Sequence, residues 1–370
     1  MASARPGANR PSIERLWYSH GAASPLTEAL APISAIYSCA LALNARAWRR
    51  MAVRAPLPII SVGNLTVGGN GKTPFTLFLA SLLREHGLRT AIVSRGYGRK
   101  GTRVGIVSDG ARILMDPREA GDEPVMMAKA FAGPIAVARR RIDAVSSLIR
   151  RAPLDAAVLD DGFQHLRLRR DLDLLLVSES RGLGNGRVLP AGPMRERLSA
   201  ISRADAVILM MPYGGSVGLA PAHQTALARR PLLRAAIRPS ALVSARGGEW
   251  IEAPLELGGH RVCLVSGLAY PEGFHSMVRG LGGEIAATID YPDHYDYGPE
   301  DWENIMAMAR RADLVLTTEK DLVKLERFSP AGFSLYALRL KIAMEAGDHA
   351  RLLEMALGAI RGNRNAASSE

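Results

Sequence analysis

The chain has 370 residues, of which 48% are hydrophobic and 22% are charged. That apolar content is enough to bury a sizeable core, so the composition excludes an intrinsically disordered protein. The two cysteines, Cys39 and Cys263, are far apart and form no C-x-x-C pair, which excludes a disulfide-rich scaffold and a cysteine-ligated zinc site. The formal net charge of +11 predicts a polyanionic partner, and an aromatic content of 5% favours an anionic membrane or a phosphorylated substrate over nucleic acid.

The first 55 residues form a basic segment with seven arginines and two glutamates. Within it, residues 29–45 carry no charge, and Arg46, Trp48 and Arg49 follow closely. This uncharged stretch contains several polar residues and is short of the about 20 apolar residues that a membrane-spanning helix needs. A basic end that carries a tryptophan is typical of a helix lying in the membrane interface. We therefore expect membrane-surface contact here, and the alternatives are a membrane-spanning helix and a buried amphipathic helix of a soluble domain.

From residue 56 onward, short apolar runs alternate with segments of helical periodicity. The predicted strands are residues 59–62, 90–94, 134–138, 156–159, 172–177 and 206–211, and, after a weakly patterned stretch at 213–256, residues 262–266, 285–289 and 314–317. Such alternation is typical of a parallel sheet covered by helices on both faces, so the predicted fold class is α/β. The predicted regions are an N-terminal segment at 1–55, a core domain at 56–235, a smaller C-terminal α/β domain at 236–361 and a disordered tail at 362–370.

A glycine-rich loop follows the first predicted strand, with the sequence T-V-G-G-N-G-K-T at residues 66–73. Its glycines let backbone N–H groups surround phosphate oxygens, and the following helix presents its positive N-terminal dipole to the same anion. Lys72 is placed to reach the β- and γ-phosphates, and the Thr73 hydroxyl to ligate Mg²⁺. Thr66 stands where the general P-loop pattern has its first glycine. The candidate nucleotide-binding residues are Thr66, Val67, Gly68, Gly69, Asn70, Gly71, Lys72 and Thr73.

A second glycine motif competes with this loop. The sequence G-Y-G-R-K-G at residues 96–101 satisfies the dinucleotide pattern G-x-G-x-x-G and follows a predicted strand. That fingerprint requires a helix immediately afterwards, whereas residues 102–108 have the pattern of a further strand. The sequence therefore disfavours a dinucleotide site.

Two acidic pairs can supply the metal-holding carboxylate and the base that phosphoryl transfer requires. Asp160 and Asp161 end the apolar strand at 156–159, which is the Walker-B arrangement, and adjacent carboxylates call for a cation beside them. Asp122 and Glu123 open a predicted helix, where the alternative explanation is an N-cap with a favourable helix-dipole charge. The pattern leaves both explanations of the second pair open.

A histidine and a basic loop are further candidates, each with a structural alternative. His294 lies in the stretch D-Y-P-D-H-Y-D, where it is either an ordinary structural residue or the partner of a catalytic aspartate across a domain cleft. The glycine-rich loop at 182–196 carries Arg187 and Arg195, so it is either a clamp for a phosphate or lipid or a surface connection.

Together these motifs resemble the tetraacyldisaccharide 4′-kinase family, known as LpxK, from about residue 17 to about residue 325. The segments that carry the likeness are S-V-G-N-L-T-V-G-G-N-G-K-T-P (61–74), S-R-G-Y-G (94–98), G-D-E-P (121–124), D-D-G-F-Q-H (160–165), G-N-G-R-V-L-P-A-G-P (184–193), P-D-H (292–294) and T-E-K-D (318–321). The departure at Thr66 is shared with this family, and Asn70 replaces the threonine or serine that is more common there.

The resemblance implies a P-loop NTPase-type parallel sheet with helices on both faces and a smaller C-terminal α/β domain. It implies transfer of the γ-phosphate of ATP to the 4′-hydroxyl of an acylated glucosamine disaccharide 1-phosphate, forming lipid IV-A in lipid A biosynthesis, with Mg²⁺ as the metal. It also implies an enzyme held peripherally or by its N-terminus at the cytoplasmic face of the bacterial inner membrane.

The resemblance also implies roles for individual residues. Asp122 is the expected base, His294 is expected to assist it, and Lys72 is expected to act on the transferred phosphate. The expected metal ligands are Thr73, Asp160, Asp161 and Glu123, and the sequence does not choose among the three carboxylates. The expected substrate contacts are Arg95, Arg195 and Glu196.

Two other functions are compatible with a P-loop. A cytosolic GTPase or metallochaperone acting as a switch is the main alternative, but a guanine-specific switch needs an N-K-x-D-type strand end. The sequence T-E-K-D at 318–321 imitates this motif only in part, because a glutamate replaces the asparagine. A nucleic-acid-binding ATPase is the second alternative, which the net charge of +11 motivates.

Overall fold

The structure is a computed structural model that describes residues 17–18, 25–69, 71–214, 219–330 and 332–367. The chain folds into two compact units, and neither is a continuous stretch of sequence. Unit 1 is built from the described parts of residues 1–72, 155–235 and 344–370, and unit 2 from those of 73–154 and 236–343. The division into four consecutive regions stays a prediction.

Helices and strands alternate over most of the described chain. The helices are α1 (Pro25–Ala29), α2 (Ala31–Arg50), α3 (Lys72–Glu85), α4 (Pro117–Ala120), α5 (Asp122–Ala130), α6 (Arg141–Ile149), α7 (Pro221–Leu227), α8 (Glu272–Gly280), α9 (Pro299–Ala309), α10 (Glu319–Leu325) and α11 (Ala346–Ala367), with a 3₁₀ helix at Leu198–Arg203. The strands are β1 (Ile59–Asn64), β2 (Thr90–Ser94), β3 (Gly105–Asp109), β4 (Pro134–Val137), β5 (Ala156–Asp160), β6 (Leu172–Ser178), β7 (Ala206–Met211), β8 (Leu232–Arg246), β9 (Glu249–Ala253), β10 (Arg261–Ser266), β11 (Glu284–Asp290), β12 (Leu314–Thr318) and β13 (Leu335–Ala343). Each strand predicted from the sequence is present, and the α/β fold class is confirmed.

Unit 1 is centred on four parallel strands in the order β5–β1–β6–β7. All six residues of β1 are buried, and the strand has a parallel neighbour on each edge. Strands of a covered parallel sheet need continuous apolar runs, which explains why L-D-L-L-L-V-S and A-V-I-L-M-M form β6 and β7. Val62 of β1 lies opposite Asp160 of β5, so these two strands end at the same edge of the sheet. The phosphate loop begins there, at the carboxyl ends where parallel sheets bind ligands.

Unit 2 contains two groups of strands. In the first, β4 pairs in parallel with β2 and antiparallel with β3. In the second, the order is β11–β10–β12–β13–β8–β9, parallel as far as β13 and antiparallel beyond it. The chain leaves β10 for β11 on one side and returns past it to β12 on the other, which makes a topological switch point at their carboxyl ends. Switch points are where open α/β sheets bind ligands.

Two elements extend beyond what the sequence pattern predicts. The weakly patterned stretch contains β8 and β9, and β8 tolerates Pro239 because its ladder with β13 shifts register next to that residue. At the C-terminus α11 continues to Ala367, although the pattern predicts a tail from residue 362. Asn363 donates from Nδ2 to Asp171 Oδ1 at 2.7 Å, and this partly buried contact anchors the end of the helix to the rest of unit 1. Residues 368–370 lie outside the described part of the chain.

The N-terminal helix α2 turns apolar side chains to solvent. Ile36 and Leu43 are 72% and 71% exposed, whereas Ser34 is buried. Ser34 Oγ donates to the Val188 carbonyl and accepts from the Ala191 N–H, both at 2.9 Å, so a polar stripe of the helix packs on the protein. A buried amphipathic helix of a soluble domain presents the opposite arrangement. None of the described helices combines the length and the hydropathy that crossing a bilayer requires.

The close packing around β1 generates a stability prediction. A Cβ atom on Gly63 would lie 2.6 Å from Cβ and 2.7 Å from the backbone nitrogen of Phe163, a contact that no change of rotamer relieves. We expect Gly63→Ala to lower the free energy of unfolding by about 1–3 kcal/mol, the usual cost of overpacking, measured by urea denaturation. Gly101→Ala is the control, because a Cβ there meets nothing within 4 Å. An unchanged urea midpoint in Gly63→Ala would contradict this account of the packing.

Candidate active site

The phosphate loop connects the buried end of β1 to the first turn of α3. Gly68 and Gly71 have φ angles of 102° and 71°, a region that glycine adopts without strain and that a side chain resists. Gly69 has open space around its Cα, since a Cβ there would meet nothing within 4 Å. Asn70 lies outside the described residues. These glycines therefore let the backbone of the loop come close to phosphate oxygens.

A second loop supports the phosphate loop from the side. Thr66 is buried and forms an antiparallel bridge with Met194, and the Val67 N–H donates to the Pro193 carbonyl at 2.9 Å. A threonine fits at this position because the strand-like bridge leaves its backbone extended, so the first glycine of the general pattern is not required. The segment at 182–196 is thus a structural partner of the phosphate loop in unit 1.

Lys72 and Arg195 converge on one carboxylate. Lys72 Nζ donates to Asn64 Oδ1 at 3.0 Å and lies 3.4 Å from Asp161 Oδ1. Arg195 donates to both carboxylate oxygens of Asp161 at 3.0 Å each. Burial alone would raise the pKa of Asp161, but the charges of Lys72 and Arg195 outweigh burial and hold that pKa below its ordinary value. The cluster carries two cations for one carboxylate, an excess of positive charge beside the phosphate loop.

The other acidic candidates of unit 1 are placed differently from Asp161. Asp160 is the buried last residue of β5, and Asp161 turns the chain away from the strand with a φ of 49°. Glu196 accepts two hydrogen bonds of 2.8 Å from the Arg203 guanidinium, so its charge is already paired. Within the described ranges, no three acidic, histidine or cysteine side chains gather into a metal-binding group.

A second cluster forms in unit 2, at the start of α5. Gly121 caps the helix with a φ of 96°, and Asp122 is the buried first residue, whose Oδ1 accepts the Glu123 N–H at 3.0 Å. The Nδ1 atom of His294 lies 3.1 Å and 3.3 Å from the two carboxylate oxygens of Asp122. The loop after β11 brings His294 to this position with a φ of 58°, which is unusual for a residue with a side chain. The structure therefore places Asp122 and His294 in contact.

The two residues shift each other's proton affinity in opposite directions. Burial would raise the pKa of Asp122, but the hydrogen bond and charge of His294, with Lys324 and Lys320, lower it to about 2. The hydrogen bond to Asp122 raises the pKa of His294, against the opposing effect of burial. An ionised carboxylate only accepts hydrogen bonds, so Nδ1 of His294 carries the hydrogen. Nε2, the other ring nitrogen, lies 3.8 Å from Asp293 Oδ2.

Two lysines lie near Asp122: Lys320 belongs to the T-E-K-D motif, although the motif gives it no partner, and Lys324 belongs to no motif. Lys324 Nζ lies 3.4 Å from Asp122 Oδ2, and Lys320 Nζ lies 2.5 Å from Asp293 Oδ1, next to His294 in the chain. Both lysines lie on α10, four residues apart and hence on one face of the helix. That spacing marks a shared face, but nothing in the sequence indicates which carboxylates the face meets.

The glycine motif at 94–98 has a structural explanation in unit 2. A Cβ on Gly121 would lie 2.8 Å from the Tyr97 carbonyl, so this loop passes directly over the start of α5. The Tyr97 ring is 67% exposed, and its centroid lies 5.1 Å from that of the His294 ring. Arg95 is exposed in the same loop, directly after β2. Thr73 and Glu123 are half-buried, at the starts of α3 and α5.

The chain is similar to a known protein family over most of its length. Residues 26–358 match the family described as LpxK, tetraacyldisaccharide-1-P 4′-kinase. A tetraacyldisaccharide 4′-kinase from Syntrophus aciditrophicus is 39% identical over 356 residues, which cover 90% of this chain and 95% of the relative. One from Geobacter metallireducens is 43% identical over 306 residues, covering 80% of this chain and 88% of the relative. These relatives are kinases by name, and they do not favour the alternative of a switch protein.

A solved structure is similar in both sequence and fold. The crystal structure of LpxK from Aquifex aeolicus, an "apo" form in complex with ATP, is 30% identical to this chain. The TM-score is 0.73, and the match covers 90% of this chain and 99% of the other. This likeness confirms the predicted P-loop kinase fold.

The contact between Asp122 and His294 predicts a change in titration. Asp122→Asn removes the negative charge, so we expect the pKa of His294 to fall from its raised value toward the ordinary 6.5. The raised pKa means that His294 adds stability at low pH, and that this contribution is lost as the pH rises through its folded-state pKa. NMR titration of the histidine ring signals measures the shift. Asp290→Asn, which removes the partner of His275 instead, is the control; an unmoved His294 titration in Asp122→Asn would refute the coupling.

Proposed function

The chain belongs to the tetraacyldisaccharide-1-phosphate 4′-kinase family, and on that basis we infer that it transfers the γ-phosphate of ATP to the 4′-hydroxyl of a tetraacyldisaccharide 1-phosphate. The product is lipid IV-A, an intermediate of lipid A biosynthesis. The observation that carries the assignment of the site is the hydrogen-bonded pair of Asp122 and His294. A kinase needs such a pair because the attacking hydroxyl must be oriented and must lose its proton.

We propose that the phosphate loop and its cations bind the triphosphate. Phosphate oxygens compete with Asp161 for Lys72 and Arg195, whose hydrogen bonds to that carboxylate hold them at the loop beforehand. Cations that are already oriented lose little freedom on binding, and they stabilise the charge that develops on the transferred group. Backbone groups of residues 66–73 and the N-terminus of α3 complete the anion site.

We propose that Asp122 accepts the hydroxyl proton and that His294 assists it. A carboxylate with a pKa of about 2 stays ionised at neutral pH, so Asp122 is always ready to accept the hydrogen bond of the 4′-hydroxyl. Asp122 is therefore the base: it orients the hydroxyl and takes its proton on a carboxylate oxygen as the hydroxyl oxygen bonds to the γ-phosphorus and the bond to ADP breaks. His294 assists by donating its Nδ1 hydrogen to the same carboxylate, which holds Asp122 in place.

Mg²⁺ fits the oxygen donors that this chain offers around the nucleotide. A P-loop metal takes many of its ligands from phosphate and water, so it needs few protein carboxylates. We propose the Thr73 hydroxyl as one ligand and Asp160, Asp161 or Glu123 as carboxylate ligands. Asp160 is buried at a strand end, and Asp161 is engaged by two cations. When bound, the metal supplies neutralisation of phosphate charge.

We propose Arg95, Arg195 and Glu196 as residues that contact or support the substrate. Arg95 is exposed on the loop beside Tyr97, where it is accessible to an anionic headgroup. Arg195 is one of the two cations at Asp161. Glu196 is paired with Arg203, so its contribution is to hold that guanidinium in place.

We propose that α2 rests on the cytoplasmic face of the bacterial inner membrane, where an acylated substrate resides. Its exposed side chains Ile36 and Leu43 can enter the apolar layer. Arg46 and Arg49 are exposed toward the end of the same helix and suit anionic headgroups. Ser34 binds the rest of unit 1 from another side of the helix, so membrane contact would leave the fold of the unit intact.

The transfer reaction tests the proposed function directly. Purified protein with γ-labelled ATP, Mg²⁺ and a tetraacyldisaccharide 1-phosphate in detergent micelles should label the lipid. We expect Asp122→Ala to lower kcat by about 10²–10⁴, because general-base catalysis contributes that much, with the KM for ATP little changed. Asp290→Ala is the matched control, since Asp290 hydrogen-bonds a different histidine of the same unit. The kinase assignment would be refuted if the unmutated protein left the lipid unlabelled or preferred GTP to ATP as phosphate donor.

Exposure of the apolar side of α2 predicts how the protein binds vesicles. Replacing Ile36 and Leu43 together by aspartate should weaken sedimentation with phosphatidylglycerol vesicles at least about tenfold, because burying each side chain is worth about 1.5–3 kcal/mol. Ile251→Asp is the control, an exposed apolar residue of β9 in unit 2. Equal vesicle binding by all these variants would remove α2 from the membrane contact.

A further inference from the structure

A buried lysine, Lys324, follows the motif T-E-K-D at residues 318–321. The proposed activity gives this lysine no role. Lys324 lies on α10, and its side chain is 9% exposed. Burying an ammonium group costs free energy unless acceptors surround it. In this structure the acceptors come from three separate elements of unit 2.

Lys324 Nζ meets one acceptor from each element. It donates to the Tyr295 carbonyl at 2.9 Å, lies 3.4 Å from Asp122 Oδ2 and lies 3.3 Å from Asp321 Oδ1. The Tyr297 ring covers the ammonium, with its centroid 5.3 Å away. Lys324 thus donates two hydrogen bonds, to Tyr295 and Asp122, and forms an ion pair with Asp321. The side chain joins the start of α5, the loop after β11 and α10.

Asp321 gives Lys324 a rigid support. It is fully buried, and its Oδ2 accepts the Gly267 N–H at 2.9 Å and the Thr318 hydroxyl at 2.7 Å. Gly267 follows β10 and Thr318 ends β12, so Asp321 is held at the switch point between these strands. Asp321, one of the three partners of the ammonium, is therefore fixed by the sheet.

The other charged groups around Asp122 do not bridge Asp122 to the Tyr295 carbonyl as Lys324 does. Lys320 pairs with Asp293, and His294 donates to Asp122. Because His294 has a left-handed backbone, its loop keeps this shape only while neighbouring contacts hold it. Lys324 makes one such contact at the next residue, Tyr295, and touches Asp122 with the same atom.

We propose that Lys324 is a positioning residue of the phosphotransfer reaction. Its ammonium holds the Asp122 carboxylate and the loop of His294 in one relative orientation, so that the pair meets the acceptor hydroxyl with correct geometry. The proposal rests on the proposed function, because it takes Asp122 to be the group that receives the hydroxyl hydrogen. Lys324 acts through Asp122 and makes no contact with substrate.

A double-mutant cycle tests this role. Lys324→Met and Lys324→Gln are each assayed for lipid phosphorylation, alone and combined with Asp122→Asn. Alone, we expect each to lower kcat about tenfold or more, with the KM values for ATP and lipid within about twofold. In the Asp122→Asn background we expect the same changes to have little further effect, because groups that act through one another are not additive.

Lys129→Met is the matched control. Lys129 is also poorly exposed, at 10%, and its Nζ joins α5 to Glu326 directly after α10 at 3.1 Å. It thus ties the same two helices together without reaching Asp122. We expect its kcat to remain near that of the unmutated protein.

Two results would overturn the role of Lys324: an unchanged kcat in both Lys324 variants, or an equal loss in the presence and absence of the Asp122 carboxylate. The glutamine variant keeps a polar side chain, so it decides the question even where the methionine variant does not fold. A near-normal kcat in Asp122→Asn alone would instead refute the proposed base. If Asp122→Asn is strongly impaired but the Lys324 changes lower kcat equally with and without the Asp122 carboxylate, the proposed base stands. Only the positioning role of Lys324 then fails.

Discussion

Parallel strand pairing is the constraint on which the rest of this structure depends. A parallel ladder brings the carboxyl ends of its strands to one edge, so residues far apart in sequence arrive there together. In unit 1 this places the phosphate loop after β1 beside the aspartates that end β5, because Val62 lies opposite Asp160. In unit 2 it places the loop after β11 and the start of α10 at the carboxyl end of one sheet. Each unit therefore presents its charged side chains at the end of the sheet where ligands bind.

Compensation of buried charge then decides which side chains meet at those edges. A carboxylate taken out of water must gain hydrogen bonds or cations, or else it takes up a proton. Asp161 gains Lys72 and Arg195, and Asp122 gains His294 and Lys324. The first cluster has an excess of cations and suits an anionic ligand. The second keeps a carboxylate ionised next to an imidazole, which suits the handling of a proton.

The sequence allowed prediction of features whose cause is local. The glycine pattern at 66–73 and the apolar runs of the strands depend on neighbouring residues, and they predicted the loop and the α/β fold class, which is confirmed. β8 escaped prediction because Pro239 and several arginines interrupt its apolar pattern, and its pairing with β13 compensates only in three dimensions. The glycines at 96–101 match the sequence pattern of a dinucleotide site. In the structure, however, their loop packs closely against Gly121 at the start of α5.

The sequence by itself determined the chemistry available to this protein: a phosphate-binding turn, carboxylates at strand ends, a basic N-terminal segment with an uncharged stretch and a family likeness that names a reaction. Only the tertiary structure decided which of these groups touch. Asp122 meets His294 across 172 positions of sequence and Lys324 across 202, and no local pattern encodes such a distance. The physical reason is that a residue's type and spacing set what it can bind, whereas strand order and burial set what it does meet.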